Sequence, residues 1–295
     1  MLAAFSVEEP MKIIILGATG MLGNAVFRVL SAQAGLDVWG TIRSPSAARV
    51  FEQGHQARLI AHMDVLDQDC LVELFRKHKP DVVINCVGLI KQFDTANDPL
   101  AVLPINAMLP HRLSRLCEAV GARLVHISTD CVFSGSQGGY KESDRSDAYD
   151  LYGKSKYIGE VVDSASAITL RTSIIGHELN SKVSLIDWFL DQQGSVKGFR
   201  KAIFSGLPTV ELARVIRDFV LPKPELSGLY HVSVEPIDKY SLLKLVASAY
   251  GKDIEILEDS ALEIDRSLDS SKFRSATGYQ PPAWERLVEV MRDFK

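Results

Sequence analysis

The sequence lacks several features that would assign it to other protein classes. Its net charge is only -4 and it contains no basic run, so nothing favours binding to nucleic acid or to an anionic membrane surface. It also has no apolar run of roughly 18 residues, the length that a membrane-spanning helix needs. Residues 1–10 include Glu8, Glu9 and Pro10 and do not resemble a signal peptide. We therefore expect a disordered extension over residues 1–10 and a cytoplasmic protein.

Cysteine is scarce as well. The chain of 295 residues has four cysteines, and no two of them form a C-x-x-C pair. A metal site or a disulfide framework is therefore not predicted, and buried thiols in a reducing compartment explain the cysteines better. The four residues are Cys70, Cys86, Cys117 and Cys131.

The sequence does contain a regular alternation of short β-rich runs and amphipathic segments. Residues 12–16 are apolar after the first lysine, as in a strand that is buried on both faces of a parallel sheet. Repeated β-α units of this kind predict an α/β fold with a Rossmann-like, doubly wound parallel sheet. Further strands are predicted at residues 38–42, 58–60, 82–85, 124–128 and 168–172, and helices at residues 21–32, 71–78 and 106–120.

The rhythm changes after about residue 175, which predicts a second, smaller domain. We assign residues 11–170 to a dinucleotide-binding Rossmann domain and residues 171–295 to a mostly helical substrate-binding lobe with short returns to the Rossmann sheet. The lobe should close over the carboxyl edge of the sheet, where open α/β folds bind ligands. Its predicted helices are residues 183–192, 209–221, 241–250 and 283–294, and its strands are residues 229–232 and 254–257.

A glycine motif with the spacing G-x-x-G-x-x-G joins the first predicted strand to the first helix. Glycines permit a tight turn and a close approach of the backbone to a pyrophosphate, and the helix N terminus offers free N–H groups to it. The alternative is a glycine-rich turn without a ligand. We predict dinucleotide binding by Gly17, Thr19, Gly20, Met21, Leu22 and Gly23.

Three later segments are predicted to complete the cofactor site. Arg43 follows the second strand and suits a ribose 2′-phosphate, so NADP is favoured over NAD, although a solvated arginine is the alternative. Asp64 and Val65 follow the third strand and could meet the adenine, but Asp64 could equally cap its loop. Small residues after the fourth strand would let the backbone pass close to the cofactor: Cys86, Val87 and Gly88.

Two tyrosine–lysine pairs share the spacing Y-x-x-x-K, which places both side chains on one helix face. They are Tyr152 with Lys156, and Tyr240 with Lys244. Tyrosine has an ordinary pKa of about 10, and a nearby ammonium group lowers it, which turns the phenol into a usable acid. The spacing alone does not separate the two pairs.

The preceding residues favour the first pair. Ser128 and Thr129 end the fifth predicted strand and so reach the carboxyl edge of the sheet, one crossover before Tyr152. We predict that Thr129 binds a substrate carbonyl, that Tyr152 protonates its oxygen, and that Lys156 contacts the cofactor ribose and lowers the pKa of Tyr152. The alternative is a partly exposed tyrosine and a solvated lysine.

Several motifs together resemble the extended short-chain dehydrogenase/reductase family and, within it, the dTDP-4-dehydrorhamnose reductase group. They lie at residues 128–135 (S-T-D-C-V-F-S-G), 140–144, 152–160, 170–173, 206–209, 228–231 and 266–272. The resemblance implies NAD(P)H-dependent reduction of the 4-keto group of a nucleotide-linked 6-deoxy sugar by Thr129, Tyr152 and Lys156. It also implies a structural or water-holding Asn106, for which helix capping is the alternative, and a possible homodimer.

Two departures from the group leave the sugar open. Residues 87–93 lack the group's alanine-rich, threonine-containing pattern, and Ser267 stands where a proline would follow Arg266. The predicted substrate contacts are Ser128, Thr129, Lys91 and Arg266, and no metal is expected. Two other functions remain: a nucleotide-sugar epimerase or dehydratase of the same fold, and a non-catalytic, NADP-binding regulatory subunit.

Overall fold

The computed structural model describes residues 9–90, 97–179 and 182–294. Its strands are β1 Met11–Leu16, β2 Leu36–Thr41, β3 Leu59–Ile60, β4 Val82–Asn85, β5 Arg123–Thr129, β6 Ala167–Thr172, β7 Ile174–Ile175, β8 Ser195–Phe199, β9 Ala202–Phe204, β10 Leu207–Pro208, β11 Gly228–His231, β12 Ile237–Asp238, β13 Glu255–Asp259 and β14 Ile264–Asp265. Its α-helices are α1 Met21–Ser31, α2 Gln53–Gln56, α3 Gln68–His78, α4 Pro99–Val102, α5 Leu109–Val120, α6 Leu151–Ile158, α7 Leu185–Asp191, α8 Thr209–Val215, α9 Lys239–Tyr250, α10 Ser271–Thr277 and α11 Trp284–Asp293.

Seven parallel strands form the central sheet in the order β11-β6-β5-β4-β1-β2-β3. This order confirms the predicted Rossmann-like fold. The strand order reverses between β1 and β4, where Leu16 is paired with Asn85. Ligands bind at such a switch point in open α/β sheets, so the chain just after these two strands borders the expected site.

The sheet is covered by a hydrophobic core on each face, as the uninterrupted apolar run of β1 predicts. Successive side chains of a strand point to opposite faces. Ile13 and Ile15 accordingly join the core that contains Phe27 of α1, whereas Ile14 and Leu16 join the core formed with α3 and α5. All four of these side chains are buried.

The chain after residue 170 contributes to both parts of the molecule. β11 pairs with β6 in the central sheet, and α8 packs against α1. The lobe itself contains more strand than the sequence predicts, in the sheets β12-β9-β14 and β13-β8. Of these strands only β13 overlaps a predicted one, at residues 254–257. The others are two to five residues long, too short for an alternating pattern to identify them. The domain boundary at residue 170 stays a prediction.

Two predicted helices are interrupted by π-helical turns. Residues Leu103–Met108 form such a turn before α5, and residues Ile216–Val220 form another after α8. The proposed N-terminal extension lies outside the described residues except for Glu9 and Pro10, which are exposed. None of the helices in the described part of the chain is long and apolar enough to cross a membrane.

Candidate active site

A cleft of about 640 Å³ opens at the carboxyl edge of the sheet, between the ends of its strands and the chain that follows β6. One wall is formed by the ends of β1, β4 and β5 with the first turns of α1 and α6. Residues from the chain after β6 form the opposite wall. Of the predicted site residues, those that line this cleft are Thr19, Gly20, Met21, Leu22, Cys86, Val87, Gly88, Ser128, Thr129, Tyr152, Lys156 and Arg266.

The glycine motif builds a tight turn under the start of α1. Gly17 has a φ of +82°, and a Cβ at Gly23 would lie 2.0 Å from the carbonyl oxygen of Gly17. Neither residue lines the cleft. Their role is structural, since both permit the close packing of the turn against the helix. Gly20 precedes α1 and provides no side-chain cap, so the first N–H groups of the helix remain available for an anion.

The other predicted cofactor residues do not line the cleft. Arg43 is exposed beyond the end of β2, whereas Val65 is buried in the core beside α3. The Asp64 carboxylate accepts the N–H of Leu66 at 2.9 Å, which is the loop-capping alternative. Lys91 lies outside the described residues.

Helix α6 presents Tyr152 and Lys156 to the cleft because its start is fixed locally. Asp150 is the N-cap, and its carboxylate accepts the N–H of Gly153 at 2.7 Å. A Cβ at Gly153 would lie 2.2 Å from the carbonyl oxygen of Cys131, so glycine allows the helix to rest on the chain that follows β5. Helix α6 therefore packs closely against the chain that follows β5.

Lys156 is buried and makes one strong contact. Its Nζ donates to the carbonyl oxygen of Ile127 at 2.7 Å. Burial lowers the pKa of Lys156 to about 8, and the nearby Glu160 and Cys86 oppose that shift. The ammonium form is therefore present at neutral pH but is lost at a mildly alkaline pH.

The predicted lowering of the Tyr152 pKa by Lys156 is not seen. Burial raises the pKa of Tyr152, and the neighbouring Cys131 and Asp130 add to this effect, while a hydrogen bond with Thr129 opposes it. Burial destabilises the phenolate form of Tyr152. The Lys156 ammonium does not offset this effect, because it is directed at the backbone carbonyl of Ile127. Tyr152 is consequently a protonated donor at neutral pH.

Thr129 and Asp130 form a second polar group beside the phenol. The Thr129 hydroxyl donates to Asp130 Oδ1 at 3.1 Å and accepts the N–H of Cys131, also at 3.1 Å. A hydroxyl has one proton, so it must turn away from Asp130 before it can donate to a substrate. Burial raises the pKa of Asp130, although the charge of Arg266 opposes the shift.

Two cations line the opposite wall, and sequence reasoning identified one of them. Arg266 donates through Nε to the carbonyl oxygen of Phe133 at 2.8 Å. The ammonium of Lys239 lies 4.6 Å from the ring centroid of Phe204. Lys239 carries no motif that could have identified it, since only the fold brings the first residue of α9 to the cleft.

Asn106 clamps the segment after β4 instead of capping a helix. It lies in the π-helical turn before α5 and is buried. Its side-chain amide accepts the N–H of Leu89 and donates to the carbonyl oxygen of Leu89, both at 2.9 Å, and it also donates to Ser155 Oγ at 3.3 Å. Asn106 therefore connects the cleft wall at Leu89 to helix α6.

None of the four cysteines forms a disulfide bond; all four lie within the described residues. Cys117 is buried, as predicted, whereas the other three are half-buried because they lie at the edges of the sheet and helices. Cys86 and Cys131 line the cleft. Within residues 9–90, 97–179 and 182–294, no three His, Cys, Asp or Glu side chains come together as possible metal ligands.

Comparisons with known proteins agree with the fold and the motifs. The chain is 26% identical over 261 residues to methionine adenosyltransferase 2 subunit beta of Mus musculus, covering 81% of this chain and 72% of that protein. It is 30% identical over 148 residues to a dTDP-4-dehydrorhamnose reductase of Streptomyces griseus, which is 50% of this chain and 43% of the relative. The crystal structure of dTDP-4-dehydrorhamnose reductase from Bacillus anthracis in complex with NADP has the same fold, with a TM-score of 0.79, 22% identity and coverage of 97% and 99%.

The family assignment rests on nearly the whole chain. The sequence profile of the family described as RmlD substrate binding domain matches residues 11–294. This range includes the glycine motif, the Tyr152–Lys156 pair and the wall that carries Arg266. The chain therefore belongs to the RmlD substrate binding domain family, in agreement with its resemblance to the dTDP-4-dehydrorhamnose reductase group.

Proposed function

We propose that the protein is an NAD(P)H-dependent reductase of the 4-keto group of a nucleotide-linked 6-deoxy sugar. One observation carries the proposal: the uncapped start of α1 and the side chains of Thr129, Tyr152 and Lys156 meet in one cleft. The match to a reductase over half of the chain supports the substrate class.

The glycine turn fits a dinucleotide. Its backbone leaves no room for a side chain at Gly23, and the first N–H groups of α1 would hold the pyrophosphate. Residues 86–88 would border the nicotinamide half, and Lys156 would meet the ribose. The bound cofactor supplies a hydride.

The chain's own residues supply binding and the proton. Thr129 turns its hydroxyl toward the substrate carbonyl, and Tyr152 passes its phenolic proton to the carbonyl oxygen as the hydride arrives at carbon. The buried Tyr152 keeps its proton at neutral pH, and the alkoxide that would form on the reduced carbon is a stronger base than the phenolate, so the proton can pass to it in spite of the raised pKa. Arg266 and Lys239 give the opposite wall the positive charge that a diphosphate requires.

The reaction is tested by following NADPH and NADH oxidation with a panel of 4-keto-6-deoxy nucleotide sugars. We expect at least one of them to be reduced at a rate well above the background oxidation of the cofactor. Binding of NADPH is measured separately by fluorescence titration. Cofactor binding without oxidation by any member of the panel would contradict a reductase.

The preference for NADP over NAD is the finer part of the proposal. Arg43 is exposed beyond β2, where it can reach a 2′-phosphate without losing an existing partner among the contacts described. Arg43→Ala should weaken NADPH binding and leave NADH binding unchanged. An equal loss for both cofactors would contradict this role.

A regulatory subunit is the second candidate, because the chain aligns with 72% of methionine adenosyltransferase 2 subunit beta of Mus musculus. The presence of Thr129, Tyr152 and Lys156 around one cleft favours the enzyme. An epimerase or dehydratase would retain NAD through purification, whereas a reductase exchanges its cofactor at each turnover. The cytoplasmic location and the homodimer stay predictions.

A further inference from the structure

A buried polar cluster adjoins the cleft at Ser128 and connects four parts of the fold. It consists of Ser128 at the end of β5, Glu160 just after α6, Arg171 in β6 and His231 in β11. Each of these residues is at most 6% exposed. Buried charges are costly unless they are fully paired, so the partners of Glu160 and Arg171 determine what the cluster costs the fold.

Every partner of Glu160 in the cluster is well placed. Arg171 donates to both carboxylate oxygens, from Nε at 2.9 Å and from Nη2 at 2.7 Å. The hydroxyl of Ser128 donates to Oε1 at 2.6 Å. These contacts occupy both carboxylate oxygens and tie β5 to the chain that follows α6.

His231 completes the surroundings of Arg171 as a neutral ring. Burial lowers the pKa of His231 to about 3, and the charge of Arg171 acts in the same direction. Its Nε2 accepts from Arg171 Nη1 at 2.9 Å, so Nδ1 carries the proton and donates to the carbonyl oxygen of Tyr140 at 3.1 Å. The cluster therefore contains one anion and one cation.

Glu160 also provides the negative charge beside Lys156, four residues earlier in the chain. The other titratable groups that act on Lys156 are neutral at physiological pH. Burial raises the pKa of Cys86 to about 12 and lowers the pKa of His126 well below its ordinary value. Tyr152 is protonated as well.

We propose that Glu160 is a positioning residue: its carboxylate binds Ser128 of β5 and Arg171 of β6 just after the helix that carries Tyr152 and Lys156, and so fixes that helix against the sheet and places a negative charge near Lys156. It does not touch the reacting atoms, since it does not line the cleft. The proposal rests on the function proposed above for this cleft. It adds a residue that acts through Ser128 and Lys156.

The test is the pH profile of Glu160→Gln, a change that keeps size and hydrogen bonding but removes the charge. In the wild type we expect kcat/KM to fall above a pH of about 8, as Lys156 loses its proton. In the variant this alkaline limb should move to lower pH by about one unit, the lower end of the effect of a close opposite charge. An unmoved limb in a folded variant would overturn the proposal.

The matched control is Glu211→Gln. Glu211 is another buried glutamate; it accepts from Tyr279 Oη at 3.1 Å and does not line the cleft. Its substitution should leave the alkaline limb in place. If Glu160→Gln does not fold, the double variant E160M/R171M replaces the ion pair by apolar side chains of similar length, which proteins often tolerate. There the limb should move in the same direction but by less, because the positive charge of Arg171 is removed as well.

A readout without turnover separates this inference from the proposed function. The ¹³Cε resonance of Lys156, assigned by its loss in Lys156→Gln, gives the titration midpoint directly. We expect a midpoint near pH 8 that falls in Glu160→Gln. If no sugar is reduced but the midpoint still shifts, the reductase proposal fails and the charge effect of Glu160 stands. An unchanged midpoint overturns the role of Glu160 whatever the substrate is.

Discussion

Tyr152 with Lys156 and Tyr240 with Lys244 have the same spacing and opposite surroundings. Lys156 is buried and donates to the carbonyl oxygen of Ile127. Lys244 is exposed, and its ammonium lies 4.9 Å from the ring centroid of Tyr240. The spacing sets which side chains share a helix face, whereas the neighbouring elements decide what that face meets.

The packing of the two helices explains the difference. Helix α6 lies against the end of β5 and the π-helical turn that contains Asn106, so its tyrosine and lysine face the cleft. Helix α9 packs against α11 and β8, and of its residues only Lys239 lines the cleft. The ring of Tyr240 is buried under Arg200, whose guanidinium carbon lies 4.0 Å from its centroid. Tyr240 is therefore part of a cation–π contact and does not face the cleft.

The largest contrast is expected from removing each phenolic hydroxyl. Tyr152→Phe should lower kcat for reduction of the accepted sugar by about 10² to 10⁴-fold, the usual contribution of a positioned acid. NADPH binding should persist, because the ring is retained. Tyr240→Phe should leave kcat unchanged. Stopped-flow oxidation of NADPH measures kcat for both variants. An unchanged kcat in Tyr152→Phe would contradict the proposed mechanism.

The pH dependence should distinguish the two lysines. Since the pKa of Lys156 is lowered to about 8, its ammonium is intact below that pH and lost above it. We expect kcat/KM to fall about tenfold per pH unit on the alkaline side, as for any single required proton. The limb should be absent in Lys156→Gln and unchanged in Lys244→Gln. A limb that survives in Lys156→Gln belongs to another group.

The sequence predicted most of what depends on local pattern. The apolar runs gave β4 at its observed bounds, and the glycine motif indicated the turn before α1. The direction of the Tyr152 pKa shift was not predictable, because it depends on burial by residues far apart in the chain. The position of Lys239 in the cleft and the ion pair between Glu160 and Arg171 depend on tertiary packing, so the local pattern could not predict them. At Asp64 the sequence is compatible with both adenine binding and loop capping, and only the structure shows the contact of its carboxylate with the N–H of Leu66.

The smallest effect concerns the caps of the two helices. Asp150 caps α6 through the N–H of Gly153, and Asp238 caps α9 through the N–H of Ser241 at 2.9 Å. Changing either aspartate to alanine should cost about 1 kcal/mol of unfolding free energy, visible as a lower Tm in calorimetry. The kinetic effects should differ, because a frayed α6 displaces Tyr152 and lowers kcat, whereas a frayed α9 displaces Lys239 and raises the substrate KM. If kcat falls in both variants, the starts of α6 and α9 both affect the chemical step. The expected difference between the two caps would then be wrong.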